Sequence, residues 1–147
     1  MDALLDDVFS DDISIPAMDG YLLAATLFLP RAAKRHAVLI NSATGVRRRF
    51  YRSFASYLAR RGCAVLTYDY RGIGGSRPTT GGKPRSLAGF KASLADWAAL
   101  DMTAAVNWMR ERYDSLPLCH VGHSFGGQAL GLLPNNSEVS RPSCMAA

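Results

Sequence analysis

The sequence has 147 residues, 48% hydrophobic and 20% charged, which is the length and composition of one globular domain and excludes a disordered chain. Its net charge of +5 comes mainly from arginine, and the one dense run, residues 47–49 with Arg52, is shorter than the basic stripes of nucleic-acid-binding proteins. We therefore interpret this run as a solvated loop and helix start, and expect no nucleic-acid partner.

No feature of the sequence indicates a membrane, a metal or secretion. The longest apolar runs, residues 37–40 and 130–133, are far shorter than the ~20 residues that cross a bilayer. The first twelve residues are rich in aspartate and have no basic segment before an apolar one, which argues against a signal peptide. Cys63, Cys119 and Cys144 are widely spaced and the histidines lack ligand spacing, so we expect no metal and no cofactor. These features predict a cytoplasmic protein without a membrane span, in which Cys63 and Cys119 are buried thiols.

The amino-terminal part predicts a β-hairpin followed by buried strands. Residues 11–16 alternate apolar and polar side chains, residues 18–20 supply a turn with a glycine, and residues 21–29 form a second β-leaning run. Residues 36–41 and 63–68 are short continuous apolar runs, which are typical of buried parallel strands.

A helix is predicted between these two buried strands. Residues 50–61 place Phe50, Phe54 and Leu58 on one helical face. Gly62 fits the position just after a helix end, where a left-handed conformation is common.

The second half predicts a loop, a helix, a strand and a short helix. Residues 71–89 are rich in Gly, Pro, Ser and Thr, and residues 93–96 have the form of a capping box. Four apolar residues then share one helical face, which we interpret as core: Trp97, Leu100, Ala104 and Trp108. Residues 118–121 are a third buried strand, and residues 125–133 have helical potential.

The order of elements predicts an α/β fold in which an antiparallel hairpin precedes parallel strands joined by right-handed crossover helices. We expect the domain to cover residues 1–133. Residues 134–147 are rich in Asn, Ser and Pro, with Val139 as an isolated apolar residue, and predict a disordered or unrelated tail. The sheet would then end at its third parallel strand and expose an apolar edge through which the chain could self-associate.

Residues 122–126 read G-x-S-x-G between a predicted strand and a predicted helix. A serine nucleophile in this context is held on a sharp turn, and glycines at both ends avoid collisions with the neighbouring backbone. Ser124 is therefore the candidate nucleophile. The amide of Phe125 lies at the helix N-terminus, where it can donate to the oxyanion of a tetrahedral intermediate.

A second oxyanion donor is expected from the loop after the first parallel strand, residues 41–45. We assign it to the backbone amide of Ala43, with Thr44 as the nearest competitor. The alternative is an ordinary strand-to-helix loop with no such role.

These motifs resemble the N-terminal half of an α/β-hydrolase-fold serine hydrolase, in the branch related to serine aminopeptidases and lysophospholipase-like esterases. The resemblance covers about residues 10–133 and includes residues 69–76, which match the D-x-R-G-x-G-x-S found after the next strand in many members. It implies Ser124 as nucleophile and a small acyl ester or amide as substrate. The sequence departs from the family at Asn41 and Ser42, where His-Gly is common.

The rest of a catalytic triad is missing, because one acid, Glu138, and no histidine follow Ser124. His36, His120 and His123 are interpreted as structural, and Asp69 is expected to hold its loop through hydrogen bonds or an Arg71 pair. Residues 72–82 lack the pattern of a phosphate-binding loop.

Two hypotheses follow from this missing base. In the first, the chain is a truncated serine hydrolase that would act on ester, thioester or amide bonds through an acyl-enzyme on Ser124, and is inactive alone. In the second, it is a non-catalytic half-sheet module that binds a partner chain or itself.

Overall fold

The computed structural model describes residues 8–145, with the side chains of residues 8–140. Residues 1–7 lie outside the described residues, so most of the aspartate-rich segment used in the signal-peptide argument is not among them. The side chain of Cys144 also lies outside the described part.

The predicted hairpin is confirmed. Strands β1 (Val8–Pro16) and β2 (Leu22–Pro30) pair antiparallel over their whole length, from Val8 opposite Pro30 to Pro16 opposite Leu22. The first strand begins three residues earlier than the alternating pattern indicates, because the pairing continues through the buried Val8 and the exposed Phe9 and Ser10 of an edge strand. The hairpin is joined to the rest of the sheet through β2.

The remaining strands complete a six-stranded sheet in the order β1-β2-β4-β3-β7-β8, beside a separate small antiparallel pair, β5 with β6. Their bounds are β3 (His36–Asn41), β4 (Cys63–Tyr68), β5 (Thr79–Thr80), β6 (Lys83–Pro84), β7 (Leu118–His123) and β8 (Arg141–Met145). Strand β3 pairs parallel with both β4 and β7, so these three strands point the same way. The predicted α/β class, with a hairpin before parallel strands, is confirmed.

Strand β8 contradicts the expectation that the sheet ends at its third parallel strand. It pairs parallel with β7, from Cys119 opposite Arg141 to His123 opposite Met145. The sequence did not indicate this strand because Pro142 lacks a backbone N–H and interrupts the apolar pattern, which is tolerated at a sheet edge. The open edge beside β7 is therefore formed by β8. The domain boundary that the sequence places at residue 133 stays a prediction.

The first crossover helix forms as predicted, but it buries a different face. After a 3₁₀ turn (Arg48–Tyr51), helix α1 (Arg52–Arg60) packs on the sheet through residues that are mostly small: Tyr51, Ala55, Ser56 and Ala59. Phe50 and Phe54 are 71% and 37% exposed. Small residues let the helix backbone approach the sheet closely, so the aromatic side chains are left on the outer side.

The second crossover is one continuous helical segment built from α2 (Leu94–Asp96), a π-helical turn (Trp97–Met102) and α3 (Thr103–Arg112). The predicted capping box is confirmed: Ser93 Oγ accepts from the Asp96 amide at 3.1 Å, and the Asp96 carboxylate accepts from the Ser93 amide at 2.8 Å. The π-helical turn shifts the register of the face, so the apolar residues buried in the core include Ala98, Met102, Ala105, Val106 and Met109. Trp97 and Trp108 are half-buried and pack against this core.

The core has two layers, one on each face of the sheet. Helix α3 covers the face that carries Leu39 and Leu66, and α1 covers the face that carries Val38 and Val65. Because β3, β4 and β7 are parallel, their carboxyl ends lie at one edge, and the loops that follow them meet there.

Candidate active site

Ser124 forms a sharp turn between a strand and a helix, as the G-x-S-x-G motif predicts. It follows β7 directly and precedes helix α4 (Phe125–Gln128), which continues as a 3₁₀ turn (Ala129–Leu132). Its backbone has φ 52° and ψ −115°, and no other non-glycine residue between 8 and 145 has a positive φ. Its carbonyl accepts from the amides of Gly127 at 3.0 Å and Gln128 at 3.1 Å, which holds the turn closed. Such a conformation stores strain that surrounding contacts must offset.

The two flanking glycines are required by the close approach of backbone to backbone. A Cβ on Gly122 would overlap the backbone of Gly127. A Cβ on Gly126 would overlap the backbone of Asn41 and Ser42, in the loop that the sequence assigns to oxyanion binding. Residues 122–128, which we call the elbow, are thus pressed directly against that loop.

Aromatic packing fixes the elbow from the other side. The Phe125 ring makes edge contacts with Tyr70 at 5.8 Å and with Trp97 at 6.0 Å between centroids. Tyr70 stacks on Trp97 at 4.9 Å and donates its hydroxyl proton to the Ser42 carbonyl at 2.9 Å. The loops after β3 and β4 and the elbow are therefore held together around Ser124.

The Phe125 amide lies where the sequence places it. As the first residue of α4, it has no intrahelical acceptor. Ser124 itself is half-buried, and no side chain of residues 8–140 is hydrogen-bonded to its hydroxyl.

The Ala43 amide is already engaged in a hydrogen bond. It donates to the Tyr51 hydroxyl oxygen at 3.0 Å, and that oxygen lies 2.9 Å from Nδ1 of His123. Tyr51 is 3% exposed, and burial raises the pKa of its hydroxyl, which therefore keeps its proton and can donate it to His123. The sequence analysis did not single out Tyr51. Its position, eight residues after Ala43 at the end of the turn that follows the β3 loop, is the signal that could have indicated it.

His123 lies beside the site but faces the β3 loop. Its ring is stacked near that of Phe50, 6.4 Å between centroids, and meets Tyr51 edge-on at 5.9 Å. His36 is exposed at the start of β3, at the opposite edge of the sheet. Within residues 8–140, therefore, no histidine is placed as a hydrogen-bonded base for Ser124.

His120 has the structural position expected for it, and its partner explains the Asn41 departure from the family pattern. The Asn41 side-chain amide donates to Nε2 of His120 at 2.5 Å, and Tyr68 donates to the Asn41 side-chain oxygen at 2.6 Å. All three side chains are fully buried. Burial lowers the pKa of His120 to about 4, so the ring is neutral at pH 7 and accepts this hydrogen bond.

Asp69 holds its loop, but its ion-pair partner is not Arg71. One carboxylate oxygen accepts from the Arg48 amide at 2.7 Å; the other accepts from the Arg48 guanidinium at 2.5 Å and the Gly75 amide at 3.0 Å. The Arg48 side chain reaches Asp69 from the neighbouring loop, whereas the Arg71 side chain is directed toward Asp101 in the second crossover helix.

Arg71 is instead clamped by two other carboxylates. It pairs with the fully buried Asp101 at 2.7 Å and with the partly exposed Asp19 at 2.8 Å. The hydrogen bond from Arg71 lowers the pKa of Asp19 to about 2, whereas burial raises the pKa of Asp101. Arg71 therefore links the hairpin, the loop after β4 and the π-helical turn.

In the described part of the chain, His, Cys, Asp and Glu do not gather into a group of three that could hold a metal ion. No described helix has the length and apolar character needed to traverse a bilayer.

Comparison with known protein families agrees with this geometry. A model described as serine aminopeptidase, S33 matches residues 32–137, which is well over half of the chain. The chain belongs to this family. The match spans β3, β4, β7 and the elbow, the elements that build the site.

Individual proteins are similar to the chain in sequence or in structure. The chain is 34% identical over 106 residues to the quorum-quenching protein AidA of Acinetobacter baumannii. Among solved structures it is similar to brefeldin A esterase, a bacterial homologue of human hormone sensitive lipase, with 23% identity and a TM-score of 0.60. It is also similar to a thermostable carboxyl esterase from Bacillus coagulans, with 17% identity and a TM-score of 0.70.

The chain is shorter than these relatives. The similarity covers 70% of this chain but 32% of AidA, 88% against 35% for brefeldin A esterase, and 92% against 43% for the carboxyl esterase. The chain therefore spans less than half of the length of each of these relatives.

Proposed function

We propose that Ser124 is the nucleophile of a serine hydrolase that acts on ester, thioester or amide bonds through an acyl-enzyme. The observation that carries this proposal is the strained turn, with φ 52° at Ser124 between β7 and α4. Family membership supports it, and two of the similar structures are named esterases.

In the proposed reaction, Ser124 Oγ attacks the substrate carbonyl carbon while a general base takes the hydroxyl proton. The bond to the leaving group then breaks, the leaving group takes up a proton, and the acyl group remains on Oγ until water releases it as the acid. The Phe125 amide and the positive end of α4 stabilise the negative charge that develops on the carbonyl oxygen.

The Ala43 amide is the proposed second donor, with a condition that comes from Tyr51. Because the Tyr51 hydroxyl accepts the Ala43 N–H at rest, it occupies the acceptor position that an oxyanion would take. We propose that the oxyanion displaces the hydroxyl, which then keeps its hydrogen bond to His123.

The general base is what this 147-residue chain lacks. His120 is buried against Asn41, His123 is bonded to Tyr51, and His36 lies at the far edge. Loss of the base from a serine triad lowers kcat by about a million-fold. We therefore propose that the chain alone does not sustain turnover.

The test is to incubate the purified chain and a Ser124→Ala variant with a fluorophosphonate probe and with short acyl esters. We expect slow modification, confined to Ser124, and no sustained ester hydrolysis. Rapid turnover that depends on Ser124 would overturn the inactivity proposal. Modification at other residues with none at Ser124 would overturn its assignment as nucleophile.

A second candidate function is a half-sheet module that binds a partner chain or a second copy. The observation that favours it is the position of β8 at the end of the strand order, paired on one side by β7. An open edge of this kind offers backbone donors and acceptors to another strand. Size-exclusion chromatography with light scattering tests it: a concentration-dependent dimer supports the module, and a monomer at all concentrations contradicts self-association.

We also propose the cytoplasm as the compartment, as the composition and cysteine spacing of the sequence indicate; Cys63 is half-buried. Burial raises the pKa of the Cys63 thiol, which makes it less reactive. Cell fractionation with an antibody against the chain tests this placement. Recovery of the chain in an organelle, periplasmic or secreted fraction would contradict it.

A further inference from the structure

Positive charge is concentrated in the two loops that precede and follow β4. Residues 42–52 contain four arginines and no acid, and residues 69–96 contain five cations and two acids. Together these segments carry a net charge of +7, more than the +5 of the whole chain, so the rest of the chain is net negative.

Both loops touch the residues on either side of Ser124. Phe50, in the first loop, stacks near the ring of His123 at 6.4 Å. Trp97, which follows the second loop, makes an edge contact with Phe125 at 6.0 Å. The loops start at the carboxyl ends of the parallel strands β3 and β4. Ser124 follows β7 at the same edge of the sheet, so the two loops border the site.

Part of this charge is neutralised in buried pairs, and the remainder is displayed to solvent. Arg48 is paired with Asp69, and Arg71 with Asp101 and Asp19. Six exposed cations form no ion pair with an acid of residues 8–140: Arg47, Arg49, Arg52, Lys83, Arg85 and Lys91. We call this set the cationic rim.

Large apolar side chains are exposed within the same two loops and at their ends. Phe50 is 71% exposed, Leu87 is 41% exposed and Leu94 is 51% exposed. Cations interspersed with exposed aromatic and aliphatic side chains are the composition of surfaces that lie in the headgroup region of a bilayer.

We propose that the cationic rim binds peripherally to an anionic lipid surface, with Phe50, Leu87 and Leu94 entering the headgroup layer. This contact would bring the edge that carries Ser124 to the membrane, without any segment crossing it. The inference goes beyond the proposed function and does not use Ser124 chemistry, so its failure would leave the nucleophile assignment intact.

The chain provides its own control for net charge. A second basic group lies at the opposite edge, in the connection before β3, and includes the exposed Arg31, Lys34 and Arg35. Reversal of two charges in either group changes the net charge of the chain equally. A double variant Lys83→Glu/Arg85→Glu is therefore matched by Arg31→Glu/Lys34→Glu, and all four side chains are exposed, so neither variant disturbs the core.

The experiment is sedimentation of the full chain with vesicles of phosphatidylcholine and phosphatidylglycerol in equal parts, compared with phosphatidylcholine alone. One cation near an anionic surface contributes about five-fold in affinity. We expect the Lys83→Glu/Arg85→Glu variant to bind at least about 25-fold more weakly and the matched variant to bind within about five-fold of the parent. Leu87→Ser is expected to weaken binding at constant charge, and salt at about 1 M to release the chain.

Several outcomes would overturn the proposal. Equal losses in the two double variants would show attraction by net charge alone. Equal binding to phosphatidylcholine alone would show that the anionic headgroup is not recognised. Release by inorganic phosphate well below the salt needed for screening would point to a soluble anion, and tighter binding to duplex DNA than to vesicles would point to nucleic acid.

Discussion

Gly126→Ala adds a single methyl group at the tightest contact of the candidate site. The new Cβ would overlap the backbone carbonyl of Asn41 and the carbonyl oxygen of Ser42. Asn41 ends β3, which is paired on both sides, and its side chain is bonded to His120 and Tyr68. Neither side of the contact can therefore yield without breaking other interactions.

The size of the effect follows from these contacts. Forcing a methyl group into close-packed backbone costs about 1–3 kcal/mol, and the helical preference of alanine over glycine offsets up to about 1 kcal/mol of this. We expect a net loss of about 1–2 kcal/mol in the free energy of unfolding, which for a chain of this size lowers Tm by about 2–8 °C.

Urea denaturation followed by circular dichroism measures this loss, with Gly131→Ala as the matched control. Gly131 lies in the 3₁₀ turn after α4, has no atom within 4 Å of an added Cβ, and has no positive φ. Its replacement should leave stability unchanged or raise it by up to about 1 kcal/mol. Equal stability of the two variants would refute the close approach of helix α4 to the loop after β3.

Three further predictions concern buried polar groups. Burial lowers the pKa of His120 to about 4, so the unfolded state binds more protons than the folded state between about pH 6.5 and pH 4. The free energy of unfolding should therefore fall by up to about 3 kcal/mol as the pH is lowered across that range, and urea titrations should show a smaller fall in His120→Gln. Asp101→Asn removes the charge of the fully buried partner of Arg71 and should lower the free energy of unfolding by about 3–5 kcal/mol, measured by the same method. Asp19→Asn, at the exposed partner, should lower it by less than about 1 kcal/mol, and equal losses would contradict the difference in burial between the two carboxylates. Tyr51→Phe should lower the free energy of unfolding by about 1–3 kcal/mol, because it leaves the buried Ala43 amide without an acceptor. An unchanged midpoint of urea denaturation would show that this hydrogen bond is absent.

The parallel strands could be read from the sequence because their signal is local. Residues 36–41 and 63–68 are continuous apolar runs flanked by polar residues, and the structure gives β3 and β4 those same bounds. The capping box at Ser93 and the turn at Ser124 were likewise readable, since each depends on a few adjacent residues.

The features that could not be read depend on distant partners. Strand β8 has no apolar pattern and exists through its pairing with β7. The outward orientation of Phe50 and Phe54 depends on how closely α1 approaches the sheet, which helical spacing does not reveal. The bond between Tyr51 and the Ala43 amide joins residues eight positions apart across a turn whose geometry no motif specifies.

The most direct test of the account is the rate at which a fluorophosphonate modifies Ser124 in the full chain, with and without added imidazole as a substitute base. We predict slow modification of Ser124 in the chain alone, marked acceleration by imidazole, and loss of both in Ser124→Ala. Rapid modification of Ser124 without imidazole would contradict the missing base, and no modification of Ser124 under either condition would contradict its role as the nucleophile.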